Sequence, residues 1–216
     1  MDGKDAEKVL PGLSREEQYC LGVRAGRILK RLHDNSGLEC NEDWKSRYFS
    51  VIGPRLQAFR NENIVFEGSA QVLQYLEANK GLLANRPQTY HHGDFHLGNM
   101  VIGDKGQLGV IDWDTADFEN IGDPWYEFNR IGAQVSAFAT GQIDGYFDNS
   151  IPDVFWKLFT FYSACSAITS IVWAKYCAPE CMDEIMKLNM DIIRWHDGMR
   201  NPIPCWYDKS LKSHMA

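Results

Sequence analysis

His91-His92-Gly93-Asp94-Phe95-His96-Leu97-Gly98-Asn99, followed after a short connection by Ile111-Asp112-Trp113-Asp114, decides how this chain is read. Asp94 and Asn99 have four residues between them, so a single loop offers a carboxylate and an amide oxygen at a fixed interval. Beyond Asn99 come an apolar run, Met100-Val101-Ile102, a turn signal, Gly103-Asp104-Lys105-Gly106, and a second apolar run from Leu108 to Ile111. Together these predict a two-stranded hairpin. A hairpin there returns the chain to its start and sets Asp112 beside Asn99.

The interval is that of the loop H-R-D-x-x-x-x-N, in which an Asp receives a hydroxyl proton and an Asn holds Mg²⁺. Phosphoryl transfer depends on positioning and charge neutralisation, and Mg²⁺ prefers one or two carboxylates together with phosphates and waters. Asp94 is therefore the candidate base, and Asn99 and Asp112 the candidate Mg²⁺ ligands, with Asp114 a further carboxylate near the metal. His92 and His96 flank the base and are candidates for contact with the bound cofactor. Their structural alternatives are a hydrogen bond that locks the loop for His92 and loop packing for His96.

The H-G-D-x-H-x-x-N loop with I-D-W-D after it resembles the aminoglycoside phosphotransferase and choline kinase superfamily. The likeness continues into Asn120-Ile121-Gly122-Asp123-Pro124-Trp125-Tyr126-Glu127-Phe128, similar to the family's G-D-P segment, and back to the run from Ala25 to His33. It is strongest from His91 to Arg130 and weak after Ala137. The resemblance implies a protein-kinase-like C-terminal lobe, mainly α with a small β-hairpin (α+β), using Mg²⁺ and ATP or GTP. It also implies an N-terminal nucleotide lobe with a Gly-rich loop and a phosphate-pairing Lys. No such pattern occurs here, so the expectation is that this lobe is absent from the chain and that an exposed interlobe face favours self-association. For Asp123 there are two structural readings: capping of the helix after it, and, from the resemblance, bracing of the catalytic loop backbone.

Bulk properties fit one domain. A chain of 216 residues can bury roughly 70 to 75 per cent of its unfolded surface around a core. The net charge of −7 argues against nucleic acid or an anionic membrane as partner, because both select for a basic face. It suits a small cationic alcohol. The acidic run Asp117, Glu119 and Glu127 is the candidate substrate-facing cluster, weighed against a plain solvated surface. Leu158 to Ala174 is the longest apolar stretch, but its Thr, Ser and Tyr residues predict a buried core helix rather than a membrane span. With no signal sequence, and six cysteines at irregular spacing that favour free thiols, the expected location is cytoplasmic.

The pattern is helix-rich. Ser14 and Glu17 form a capping-box signature ahead of Leu21, Ala25, Ile28, Leu29 and Leu32 at helical spacing, predicting a helix over 14–35. Trp44 to Arg60 is helical in character, with Gly53-Pro54 expected to kink or break it. Further helices are predicted over 69–79, 124–139, 152–176 and 179–199, with a short strand over 88–91 leading into the loop. The organisation expected is a connector (1–13), a catalytic core (14–130), a helical substrate subdomain (131–200) and an irregular tail (201–216) with an apolar contact at Trp206 and Tyr207.

Three function classes follow: a small-molecule kinase acting on a hydroxyl, aminoglycoside-like or otherwise cationic; a non-catalytic or truncated module of the same fold; and a metallohydrolase with His91, His92, Asp94 and His96 on a transition metal. The last is disfavoured because adjacent His91 and His92 point to opposite sides of an extended segment.

Overall fold

The computed structural model describes residues 3–37, 40–113, 118–130 and 135–215. In chain order its elements are β1 (Lys4–Asp5), α1 (Ala6–Val9), α2 (Arg15–Asp34), α3 (Trp44–Asn61), α4 (Ser69–Asn79), β2 (Thr89–Tyr90), β3 (Met100–Ile102), β4 (Leu108–Val110), β5 (Ile121–Gly122), α5 (Ser136–Phe147), α6 (Asp153–Cys177) and α7 (Met182–Trp195), with short 3₁₀ turns between them. They form two compact units. One comprises Met1–Leu38, Thr89–Pro152 and Trp206–Ala216; the other joins Glu39–Gln88 to Asp153–Cys205.

The first unit carries the loop. The predicted hairpin is present as β3 and β4, antiparallel, with Met100 opposite Val110 and Ile102 opposite Leu108. The connector contributes more than expected: β1 adds to the outer edge of β3, Lys4 opposite Ile102, making a three-stranded sheet, and α1 follows at once. Two-residue strands give no readable alternation, so only a partner reveals them. The strand expected over 88–91 is β2, and its antiparallel partner β5 pairs Tyr90 with Ile121.

Helix α2 starts as its capping box dictates. Ser14 Oγ accepts from the Glu17 backbone N–H at 3.2 Å and Glu17 Oε2 accepts from the Ser14 N–H at 2.8 Å. Its buried stripe includes Leu21, Gly22, Val23, Ala25, Gly26 and Leu29. Against it lies α5, running parallel. Gly22 and Gly26 face the backbones of Phe138, Gln142 and Tyr146, while Gly141 and Gly145 face those of Tyr19 and Val23. The helix expected over 124–139 is a correction: Pro124–Arg130 is a 3₁₀ helix, and α5 begins at Ser136 and runs on to Phe147. Gly141 and Gly145 lower helix propensity by about 1 kcal/mol each relative to Ala, which hides the helix from a local reading. They are there because two backbones meet.

The tail closes on this pair. Buried Asp144 of α5 accepts hydrogen bonds from Tyr19 Oη (3.0 Å) and Tyr207 Oη (2.6 Å), with Lys212 Nζ at 3.1 Å. The stretch expected to be irregular also ends in a 3₁₀ helix, Lys209–Met215.

The second unit is built on α6. One described helix, Asp153–Cys177, is long and apolar enough to cross a membrane by composition, and 78% of its apolar window is buried in the fold. Phe155, Phe159, Phe161 and Ile168 are fully enclosed, Trp44 Nε1 donates to Tyr162 Oη at 2.8 Å, and Tyr48 packs against the Phe161 and Tyr162 rings. Helix α3 passes through Pro54 without ending. Gly53 has no Cβ to meet the proline ring, which relieves the clash that usually expels the preceding residue from helical geometry. The helix expected over 179–199 is shorter, a 3₁₀ turn and then α7, and stops where Asp197, Gly198 and Met199 all take positive φ. All six cysteines are free thiols; burial pushes the Cys165 thiol up to about 12, against the opposing effect of a hydrogen bond with Tyr48.

Candidate active site

The loop at His91–Asn99 is fixed atom by atom. Gly93 sits at φ +82°, a left-handed conformation that a residue with a Cβ adopts only under strain. The Asp94 N–H donates to His92 Nδ1 at 3.2 Å, so His92 is protonated on Nε2, which in turn reaches the Ile111 carbonyl at 2.8 Å. Both ring nitrogens are thus engaged within the fold, and the Trp113 ring lies 4.8 Å away, centroid to centroid. His92 was a candidate for cofactor contact; its geometry is that of a clamp between the loop and the end of β4. His91 is buried between the rings of Phe118 and Tyr126.

His96 shows the same tautomer logic. Its Nδ1 accepts from the Gly98 N–H at 3.1 Å, which leaves the proton on Nε2, 3.2 Å from Asp94 Oδ2. A Cβ on Gly98 would lie 2.8 Å from His96 Cε1, so a larger residue there would push the imidazole out of this position. Asn99 Nδ2 donates to the Asp94 carbonyl and to Asp94 Oδ2, each at 3.0 Å. Two neutral donors therefore hold one carboxylate oxygen of Asp94, and Asp94 and His96 stay about 30% open to solvent. The Asn99 amide oxygen is turned away from Asp94, since its nitrogen faces it.

Asp112 is brought to Asn99 by the hairpin: the Ile111 N–H donates to the Asn99 carbonyl at 2.9 Å, one residue earlier. Asp112 is exposed, with φ +60°. Asp114 and Asp117 lie outside the described residues, as does the side chain of Glu119. Among the described residues no group of three or more His, Cys, Asp or Glu side chains is arranged to hold a metal ion, which leaves the His91, His92, Asp94 and His96 set without support as a transition-metal site.

Glu127 requires the plainest correction. Expected on a substrate-facing acidic surface, it is 3% exposed and lies beneath the loop. Its carboxylate accepts from the backbone N–H of His92 and, at 3.0 and 3.2 Å, from that of Gly93. His33 of α2 stands 3.9 Å away through Nε2 and binds Tyr146 Oη through Nδ1 at 2.8 Å. Burial works to raise the Glu127 pKa, but His33, His91 and the Gly93 N–H together hold it below the usual glutamate value. Of the two readings of Asp123, the cap is seen: its Oδ1 accepts from the Trp125 N–H at 2.9 Å, while Glu127 supplies a brace to the loop backbone. The signal was in the sequence: a lone carboxylate inside the aromatic run Trp125-Tyr126-Glu127-Phe128 is a candidate for burial, and a buried charge must be paired.

The loop thus presents a carboxylate on a braced backbone, and the hairpin after it returns a second carboxylate beside an Asn. The chain belongs to the phosphotransferase enzyme family (APH), whose profile matches residues 1–154. Its fold is similar to that of a choline/ethanolamine kinase family protein from Mesorhizobium loti (TM-score 0.61, 12% identity, 84% of this chain and 64% of that one). It is also similar to the ADP-bound aminoglycoside phosphotransferase APH(2'')-Ib (TM-score 0.56, 17% identity, 89% of this chain and 71% of that one). At these identities the likeness is one of fold, and the chain spans 64% of the length of the first of these structures. No curated protein matches the sequence.

Proposed function

We propose that this chain carries the catalytic and metal-binding residues of a small-molecule kinase, which transfers the γ-phosphoryl group of ATP or GTP to a substrate hydroxyl. The observation that carries the reading is the Asp94 carboxylate, held on one oxygen by His96 and Asn99 at the tip of a loop whose backbone rests on Glu127. A hydroxyl arriving at Asp94 gives up its proton to the carboxylate as its oxygen attacks the γ-phosphorus, and the nucleoside diphosphate leaves. His96 and Asn99 are neutral donors, so they fix the carboxylate without replacing the proton it must accept. A base in this role contributes about 10² to 10⁴ in rate.

The donor set fits Mg²⁺. The Asn99 amide oxygen and the Asp112 carboxylate are hard oxygen ligands of the kind Mg²⁺ takes alongside phosphates and waters, and Asp114 is a third candidate two residues on. When bound, the ion neutralises charge on the transferring phosphoryl group. His96, beside both Asp94 and Asn99, is the remaining candidate for cofactor contact.

A cationic alcohol, aminoglycoside-like or similar, is the acceptor favoured by the net charge of −7 and by the acidic residues Asp112, Asp114, Asp117 and Glu119 that follow one another in the sequence. Carboxylates near the transfer point concentrate cations over roughly 8 to 10 Å at physiological ionic strength. Glu127 has no part in that attraction. In the full-length protein, Asp94→Ala is expected to lower kcat at least about a hundredfold with folding and Mg-nucleotide affinity intact, whereas Asp112→Ala loses metal-dependent nucleotide binding. Retention of more than about a tenth of kcat in Asp94→Ala would remove the base assignment. Equal turnover of cationic and neutral alcohols at low and high salt would remove the cation preference alone.

A further inference from the structure

The ends of α2 and α5 line an open groove of about 630 Å³ to which no residue of the Asp94 loop contributes. That volume falls in the range of small-molecule sites, about 300 to 1,000 Å³. One wall is basic: Arg27, Lys30 and Arg31 stand at i, i+3 and i+4 on α2, and therefore share a face. The lining also carries aromatic rings, with Trp125 and Phe147 in edge contact at 5.6 Å between centroids. The single carboxylate of the lining is Asp148.

Cations near a helix C-terminus often do no more than offset its dipole, but that effect dies away within the last turn. The last turn of α2 holds Arg31 and His33; Arg27 and Lys30 lie a turn earlier. Lys30 is paired with Asp34 at 2.5 Å in an exposed ion pair, of a kind worth little and easily exchanged for another partner. Both arginines are exposed. Arg31 Nε bonds weakly to the Arg27 carbonyl at 3.4 Å, which lays its stem along the helix. In a chain with 29 acidic and 22 basic residues, three cations and two aromatic rings in one groove with a single carboxylate have the opposite character to the rest of the protein.

We infer that this groove is a binding site for a small planar anion, an aromatic ring bearing a phosphate or carboxylate, distinct from the Asp94 site. The ring lies against Trp125 and Phe147, and the anionic group is held by the forked guanidinium donors of Arg27 and Arg31, which match phosphate and carboxylate geometry. Lys30 adds an undirected positive charge.

The test is calorimetric titration of the full chain with 1-naphthyl phosphate, 1-naphthoate and the uncharged 1-naphthylmethanol. Saturable binding of at least one anion is expected. It should weaken about tenfold or more in Arg27→Ala/Arg31→Ala, in line with loss of charge-assisted hydrogen bonds, and should weaken with added salt. Affinity in Asp94→Asn should be unchanged, because the groove is not the transfer site. The phosphate and carboxylate arms tell which anion the groove prefers. The inference is overturned if neither anion saturates below about 10 mM, if the folded double variant binds as well as wild type, if the uncharged alcohol binds equally, or if Asp94→Asn abolishes binding.

Discussion

Replacing Gly26 by alanine adds one methyl group to a helix, which in an exposed position would stabilise it. Here the expected sign is the reverse. A Cβ at Gly26 would lie 2.1 Å from the Gln142 carbonyl oxygen and 2.6 Å from the Tyr146 nitrogen, both backbone atoms of α5. Carbon and oxygen rest at about 3.3 Å or more, so the helices must separate by roughly 1 Å along that line. A rotamer change cannot relieve the clash, because the obstructing atoms belong to a helix backbone. Gly22, Gly141 and Gly145 make equivalent approaches at 2.1, 2.2 and 2.3 Å, and opening the seam at one glycine loosens contacts at all four. Overpacking of this kind costs about 1 to 3 kcal/mol or more, and the gain in helix propensity returns at most about 1 kcal/mol. A net loss of about 2 kcal/mol lowers Tm by about 4 to 8 °C in a chain of this size. Gly81→Ala is the matched control, since nothing lies within 4 Å of its Cβ and its φ is not positive; it should be neutral or slightly stabilising. Thermal and urea unfolding of both variants decide the matter. If Gly26→Ala melts with or above wild type, the close approach of α2 and α5 is not the source of this unit's stability.

Three further outcomes follow from buried groups. His196 is enclosed, donates from Nδ1 to the Asn201 carbonyl at 3.0 Å, and is driven by burial down to about 4 from 6.5, opposed by that hydrogen bond. Between those pH values the unfolded chain takes up a proton that the native state refuses, so stability falls as pH drops, by about 3 kcal/mol in total; urea titrations at pH 7 and pH 4.5 should show a smaller fall in His196→Gln. Asp144→Ala orphans the hydroxyls of Tyr19 and Tyr207, whose pKa values burial and the carboxylate hold well above the ordinary tyrosine value. A loss of about 2 to 4 kcal/mol is expected, with limited proteolysis opening first in the tail after Trp206, whereas Tyr207→Phe should cost only about 1 kcal/mol. Glu127→Gln leaves its size unchanged but removes the charge under the loop: stability should fall at neutral pH, and because the folded pKa is lowered, the gap to wild type is full above about pH 4.5 and closes as the pH falls below it.

Much of the fold was legible where local and global preferences agree. The capping box at Ser14 gave the start of α2 to the residue, and the turn signal at Gly103 to Gly106 gave the hairpin. Three features were hidden for distinct physical reasons. β1 and β5 are two residues long, below the length at which alternation carries information. α5 contains two glycines whose value lies wholly in its partner helix. The second unit joins 39–88 to 153–205, and such a grouping depends on contacts far apart in sequence, which no window along the chain contains.

The site was legible at its polar tip and illegible at its support. The proximity of Asp94, Asn99 and Asp112 was legible because their spacing along the chain is itself the geometry: a loop and a hairpin are local structures, and the Ile111 to Asn99 hydrogen bond closes them. The residues that hold the loop come from elsewhere. Glu127 arrives from a 3₁₀ helix, His33 from α2 and Tyr146 from α5, and they meet under Gly93 only when α2 and α5 lie in contact. The glycine seam and the loop brace are therefore linked through Tyr146, the residue whose backbone nitrogen, with the Gln142 carbonyl, lies against Gly26 and whose hydroxyl binds His33. Widening the seam by roughly 1 Å would stretch a hydrogen bond of 2.8 Å past its useful length. Gly26→Ala should consequently reduce turnover even at temperatures where the protein remains folded, because the support beneath the proposed base is loosened. A variant that is destabilised yet fully active at 20 °C would show that the brace does not depend on the seam.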